Sequence, residues 1–419
     1  MSELASESST SSELGSESST HRFDALWTDL ERVGRHKSSG GYRRFAWTST
    51  DAALREWFTG EAQARGLDVT SDRAGNLWAW WGDPDADGPG LVVGSHLDSV
   101  PDGGAFDGPL GVVSALAALD VLRTKGWAPQ RPLGVAVFSD EEGARFGVAC
   151  AGSRIITGAL GADRARSLRD ADGTTMAEAM TAAGHDASQV GPDERALRRV
   201  ATFVELHVEQ GKGLVDAREG AGAPVGVASS IWPHGRWRLD LRGRADHAGT
   251  TRLADRDDPM LALAAVVGTA RSAAERHAAL ATVGKLSVEP NGVNAIPSAV
   301  TAWLDARGPV EQDVRAVVAA VGVAAGSEPV EESWTAATDF DAALRDRLAA
   351  LLGEDGAPAP VLPTGAGHDA GILSAAGVPT AMLFVRNPTG VSHSPHEHAD
   401  PDDCHRGVEA LVRVLEELG

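Results

Sequence analysis

The sequence is short of cysteine, has no excess of positive charge and carries no long apolar run, and each shortage excludes something. Two cysteines, Cys150 and Cys404, in 419 residues cannot form a disulfide framework, so a reducing compartment is expected. Lysine and arginine number 38 against 59 acidic residues, for a net charge of −21. Without a basic footprint, neither nucleic acid nor an anionic membrane is expected as a partner. A small anionic substrate is not excluded, because one local cationic site outweighs the global field at short range. No stretch approaches the roughly 20 apolar residues of a membrane-spanning helix. The first residues also lack the basic-then-apolar pattern of a signal peptide, so a cytoplasmic location is the expectation.

What is present is the mix of a globular protein, 42% hydrophobic and 23% charged, in a chain long enough to need more than one core. Residues 1–22 read as a disordered tail. They are rich in serine and glutamate, and Ser2-Glu3-Leu4 through Thr10 returns as Ser12-Glu13-Leu14 through Thr20, with too little apolar surface to offset ordering entropy. From Phe23 helical patterns alternate with short apolar runs at 91–93, 133–138, 202–204 and 380–385, the signature of buried strands in an α/β sheet. The middle differs: 237–241 and 301–305 alternate polar with apolar, around an alanine-rich helix expected over 259–279. The expected fold is therefore a catalytic α/β domain with a mixed sheet over 23–225 and 337–419. A smaller α+β lid or dimerisation domain is inserted at 226–336.

Polar clusters follow the expected strands. His96-Leu97-Asp98 follows one run, Asp140-Glu141-Glu142 a second, and Glu205-Leu206-His207-Val208-Glu209-Gln210 a third. In open α/β sheets ligands bind beyond the carboxyl ends of strands, so converging acids and histidines suggest a metal site. Each has an ordinary reading by itself: His96 as a structural histidine, Glu141-Glu142 as solvated charge. The strand context favours the other reading. Asp98, two residues on, is placed to orient the His96 imidazole. Asp107, eleven residues after His96 and past Gly103-Gly104, is placed to return to the same point. Paired carboxylates after an apolar strand are costly to bury without a cation, so one suits a metal and the other a general base. His393 lies in a second histidine-rich run, Ser392-His393-Ser394-Pro395-His396-Glu397-His398.

The string Gly94-Ser95-His96-Leu97-Asp98 through Phe106-Asp107-Gly108 resembles the first metal motif of the M20 metallopeptidase superfamily, and Asp140-Glu141-Glu142-Gly143 its second. Glu205-Leu206-His207-Val208-Glu209-Gln210-Gly211, His247-Ala248-Gly249-Thr250-Thr251, Gly365-Ala366-Gly367-His368-Asp369-Ala370 and Ser392-His393-Ser394-Pro395 are similar to motifs of its hydantoinase/carbamoylase branch, which includes N-carbamoyl-L-amino acid hydrolases and allantoate amidohydrolases. The resemblance runs from about Phe23 to the end of the chain. It implies His96, Asp107, Glu142, His207 and His393 as ligands of two divalent metal ions per subunit, with Asp107 bridging. It implies Glu141 as general base, and Gln210, His247, Asn294, Arg307, Gly367 and His368 as substrate-binding residues, His247 acting catalytically across a homodimer formed through the inserted domain.

Imidazole and carboxylate donors suit Zn²⁺, Mn²⁺, Co²⁺ or Ni²⁺ without choosing among them. Two such ions outweigh the Asp107 and Glu142 carboxylates and leave positive charge to polarise a ureido carbonyl. The implied activity is hydrolysis of a ureido or carbamoyl C–N bond on a small carboxylate substrate. The enzyme alternatives are an N-formyl or N-formimino amino acid amidohydrolase and an M20 peptidase, and the non-enzyme alternative is an inactive M20-like binding protein. Arg252-Leu253 stands where the branch commonly has Pro-Met, which points to a more acidic or longer substrate. His398 leaves a rival to His393 as ligand. Cys150 and Cys404 read as packing residues.

Overall fold

The computed structural model describes residues 22–220 and 222–419. The expected tail lies outside the described residues, except that Arg22 is already helical. The chain divides into two compact units, one running up to Ser229 and resuming over Asp339–Gly419, the other Ser230–Thr338.

The larger unit carries β1 (Asp68–Ser71), β2 (Leu77–Trp81), β3 (Gly90–His96), β4 (Leu133–Phe138) and β5 (Val200–Val208). Along the chain follow β6 (Val225–Ile231), β7 (His234–Arg242), β8 (Asp246–His247), β9 (Leu280–Glu289), β10 (Ala295–Ile296), β11 (Ala299–Arg307), β12 (Val330–Thr335), β13 (Thr338–Asp339), β14 (Val361–Thr364) and β15 (Thr380–Val385). Among the described residues the main sheet has nine strands in the order β1-β2-β4-β3-β5-β15-β6-β13, with β14 beside β6. It is mixed: β3 runs parallel to β4 and β5, β15 parallel to β5, and β2 antiparallel to β4. The expected α/β class holds.

Strands β3, β4 and β15 are buried at every residue, as parallel strands covered on both faces must be. One cover is the helix Pro109–Thr124, buried from Pro109 through Leu122. A helix apolar all round belongs inside, and Pro109 in its first turn loses no hydrogen bond there. Helix Pro401–Leu418 joins the same core through Val408, Leu411 and Leu415.

In the smaller unit β12, β7, β11 and β9 form an antiparallel sheet in that order, with β9 at its edge. Trp237, Leu239 and Leu241 of β7 and Val300, Ala302, Leu304 and Ala306 of β11 meet Val266 of helix Pro259–Arg276 and Val314 of helix Glu311–Ala325, so the alternation in sequence becomes a one-sided core. The helix expected over 259–279 ends at Arg276, because the chain reverses through Ala278 at φ 48° to enter β9. Among the described residues no helix is long and apolar enough to cross a membrane.

Candidate metal centre

Because β3, β4, β5 and β15 run in one direction, their carboxyl ends share one edge, and the side chains of interest gather there. His96 is the last residue of β3 and His207 the penultimate residue of β5. Glu141 and Glu142 occupy the turn after β4, and His393, at φ 54°, the loop after β15. Asp107 arrives just before helix Pro109–Thr124. Its approach depends on glycine: Gly108 has φ 86° and a β-carbon there would lie 2.4 Å from the His96 ring, while one on Gly104 would lie 2.3 Å from Glu397 Oε1.

Asp107 is the centre. Its Oδ1 lies 3.5 Å from His96 Nε2 and 3.2 Å from His207 Nε2, and its Oδ2 lies 3.5 Å from His393 Nε2. His393 Nε2 is also 3.5 Å from Glu142 Oε2. Two groups result, His96–Asp107–His207 and Asp107–Glu142–His393, each with its ligand atoms within 4.8 Å of one another. His398 instead meets Asp400 at 3.0 Å. Glu141 belongs to neither group; its Oε2 lies 3.7 Å from His96 Nε2.

The residues fit divalent cations. His96 Nδ1 and His207 Nδ1 lie 3.2 and 2.9 Å from the carbonyls of Asp98 and Val208. Such bonds place the proton on Nδ1 and leave the Nε2 lone pair outward, as metal-binding histidines do. Both Nε2 atoms are buried and, among the described residues, have no hydrogen-bond partner. A lone pair facing a carboxylate oxygen at 3.2 Å requires positive charge between them, a proton or a metal. Around them Asp98, Asp107, Asp140, Glu141, Glu205 and Asp369 are all buried, and so many buried anions call for cations.

Protons are the alternative to metal. Burial pushes Glu141 well above the ordinary carboxyl range; His96 opposes this, and Asp369, Glu142 and Asp98 add to it. Burial and then Asp107 push Glu142 up as well. Burial would lower His96 and His207, yet neighbouring carboxylates, Glu141 foremost for His96 and Asp107 for His207, raise both. Burial would raise Asp107, but His207 and His96 beside it, when protonated, hold it well below its usual value.

The signs give a prediction for metal-stripped protein. Groups raised in the folded state contribute stability that falls as pH rises, beginning above 4.5 for the two glutamates and above 6.5 for the two histidines. Asp107 acts oppositely, but its gain is complete once pH exceeds its ordinary 3.8. Calorimetry of chelator-treated protein should therefore show Tm falling between about pH 5 and about pH 8, with added divalent metal raising Tm more at the higher pH. A flat or rising Tm of the stripped protein would contradict this.

Supporting contacts surround these side chains. Asp98 was expected to share a strand face with His96. Instead β3 ends at His96, and Asp98 curls back from the loop: its Oδ1 lies 3.4 Å from His96 Nδ1, and its carboxylate accepts the Glu141 and Glu142 amides at 3.1 and 3.0 Å. Gln210 Nε2 donates to Asp107 Oδ2 at 2.8 Å. His368 is buried with its ring 4.5 Å from that of His207, and Gly367 is half-buried just before it.

Several residues here were not foreseen. Glu397 accepts the Phe106 and Asp107 amides at 2.9 and 3.0 Å, tying a late loop to Asp107. Glu205 accepts from the Ser95 hydroxyl at 2.8 Å and the Ala370 amide at 3.0 Å. Its place two residues before His207 on a strand was the available signal.

The smaller unit holds the other expected residues. The Gly249 amide donates to His247 Nδ1 at 2.9 Å, which puts the ring proton on Nε2 and makes that atom a donor. The Ala248 amide donates to the Asn294 carbonyl at 3.0 Å, and His247 pairs with Ala295, so His247 and Asn294 stand together. Arg307 forks onto Asp305 at 2.8 and 2.6 Å. It lies at the far end of β11 from that hairpin, since Arg307 pairs with His234 and Ala299 with Arg242. Eight strand residues put about 26 Å between Ala299 and Arg307. Arg252 is exposed and paired with Asp255 at 2.6 Å.

The sequence profile of peptidase family M20/M25/M40 matches residues 92–417. An N-carbamoyl-L-amino acid amidohydrolase of Geobacillus stearothermophilus is 36% identical over 411 residues, covering 94% of this chain and 98% of that protein. An allantoate amidohydrolase of Escherichia coli strain K12 is 31% identical, covering 91% and 93%. The crystal structure of a hydantoinase/carbamoylase family amidase from Burkholderia vietnamiensis is similar with TM-score 0.85 and 30% identity, covering 95% and 97%.

Proposed function

The chain belongs to the M20/M25/M40 peptidase family, in its hydantoinase/carbamoylase branch, and from that premise we propose that it is a two-metal amidohydrolase cleaving the ureido group of a small carboxylate such as an N-carbamoyl-L-amino acid or allantoate. The family is metal-dependent, and its named relatives are hydrolases of C–N bonds. One observation carries the proposal: two ligand groups share Asp107, while Glu141 stands beside them uncommitted to either.

His96, Asp107 and His207 would hold one ion, and Asp107, Glu142 and His393 the other. Bound there, divalent ions supply Lewis acidity toward a ureido carbonyl, which two nitrogens deactivate. The chain's own residues do the rest. Glu141 takes the proton of the attacking water and returns it to the leaving nitrogen. His247 donates its Nε2 proton to the developing oxyanion. Arg307 swings its fork from Asp305 to the substrate carboxylate, a geometry lysine cannot copy. Asn294 adds a neutral hydrogen bond, and Gln210 steadies Asp107 at the edge of the substrate space. The Arg252 charge, already offset by Asp255, favours acidic substrates only modestly.

Arg307 stands at the far end of β11 from His247 and Asn294, which supports a homodimer in which His247 and Asn294 of the partner subunit complete the site. The inserted unit offers a surface for it. Strand β9 is a ten-residue edge that exposes Leu280 and Leu286, and helix Pro259–Arg276 exposes Leu261 and Val267. Long apolar edges invite a second strand. Two buried free cysteines suit a reducing, cytoplasmic setting.

The test is ammonia release by metal-reconstituted protein over allantoate, N-carbamoyl, N-formyl and N-formimino amino acids. Turnover of a ureido substrate is the expected result. Turnover confined to the formyl compound, detected as formate, or to the formimino compound would overturn the ureido assignment.

A further inference from the structure

We infer that Cys150 positions Glu141, an inference that rests on the reading of Glu141 as the base. Among the described residues, the hydrogen bond to the Glu141 carboxylate comes from the Cys150 thiol, Sγ to Oε1 at 3.3 Å. The other oxygen, Oε2, is thereby turned toward His96 and the ligand groups. Both side chains are buried, so water does not compete for the contact.

The backbone holds the thiol in place. The amides of Cys150, Ala151 and Gly152 donate in succession to the carbonyls of Glu141, Asp140 and Ser139, at 2.5, 3.0 and 2.9 Å. The start of helix Ala151–Thr157 is thus laced to the turn that carries Glu141. Cys150 itself sits at φ 53°, ψ 38°, a left-handed conformation that disfavours any β-carbon and would suit glycine. A side chain retained at such a position is the kind of outlier that points to a role.

A thiol also suits the task chemically. It is a weak donor, so it can fix the direction of a carboxylate without stabilising the charged form as strongly as a hydroxyl would. One oxygen is tethered and the other keeps its basicity for the water. Cys150 is therefore a positioning residue, acting on the substrate only through Glu141.

The experiment uses the full metal-loaded chain and three variants, Cys150→Ala, Cys150→Ser and, as a control away from the site, Cys404→Ala. Cys150→Ala should lower kcat roughly five- to tenfold, the worth of one hydrogen bond, with KM and metal content unchanged. Cys150→Ser should recover to within about twofold, because it restores a donor. Cys404→Ala should match the wild type. A second readout needs no turnover: in metal-free protein, the infrared S–H stretch that vanishes in Cys150→Ala should shift when Glu141→Ala removes its acceptor. The role is overturned by full kcat in Cys150→Ala, by equal impairment of the serine variant, by loss of metal in both variants, or by an unmoved S–H band. A wild type that turns over nothing would remove the reading of Glu141 and this role together, whereas an active wild type with an indifferent Cys150→Ala would remove the role alone.

Discussion

Replacing Glu141 by glutamine is expected to lower kcat by roughly 10²–10⁴-fold, the usual contribution of a positioned general base, while leaving the metal content unchanged. The two halves of this result have separate causes. Glutamine has the same shape and still accepts the Cys150 thiol on its oxygen, but it cannot take a proton from water. Metal binding survives because neither ligand group contains Glu141. Steady-state kinetics beside elemental analysis would show both. The same variant separates an enzyme from an inactive relative that only binds, because a binding protein would lose nothing by the exchange. Undiminished turnover would mean that another group moves the proton. Loss of metal would mean that Glu141 is a ligand.

Changing His247 to alanine should lower kcat by roughly 10²–10³-fold, the range for deleting one oxyanion donor. Mixing this variant with Glu141→Gln should then restore activity. In a mixed dimer one site pairs an intact Glu141 with an intact His247 of the partner subunit, and the other site carries both lesions. Random reassortment of a symmetric dimer makes half the dimers mixed, each with one working site, so about a quarter of wild-type turnover should return. Recovery requires that the two residues in one site come from different copies. If sedimentation shows mixed dimers and no activity appears, His247 serves its own chain and the dimer reading falls.

The strands of the larger unit were legible because buried parallel strands are apolar without interruption. Strands β4 and β15 occupy the runs Leu133–Phe138 and Thr380–Val385 read from the sequence. The end of helix Pro259–Arg276 was not, because alanine propensity runs on through Ala278 and only the reversal into β9 stops it. Strand β9 itself carries little alternation, being exposed along most of its length. Of the centre, the residues recognised by motif are those that the structure gathers around Asp107. What escaped was the layer behind them. Glu397 reaches the Phe106 and Asp107 amides from a loop some 290 residues later in the chain, and no local periodicity reports that. Cys150 meets Glu141 through a nine-residue return closed by a left-handed residue, and a single cysteine has no spacing to betray it.

The tether from Glu397 to the amides of Phe106 and Asp107 has a consequence for biosynthesis. By the time the ribosome has passed residue 207, four of the five proposed ligands exist, yet the loop bearing the shared aspartate still lacks its anchor and the second group lacks His393. An emerging chain therefore displays one group whole and the other short of a donor, with a slack hinge at the residue they share. Capture of both cations becomes an event of the finished polypeptide, and whichever ion predominates in the cell at that moment is the one most readily locked in.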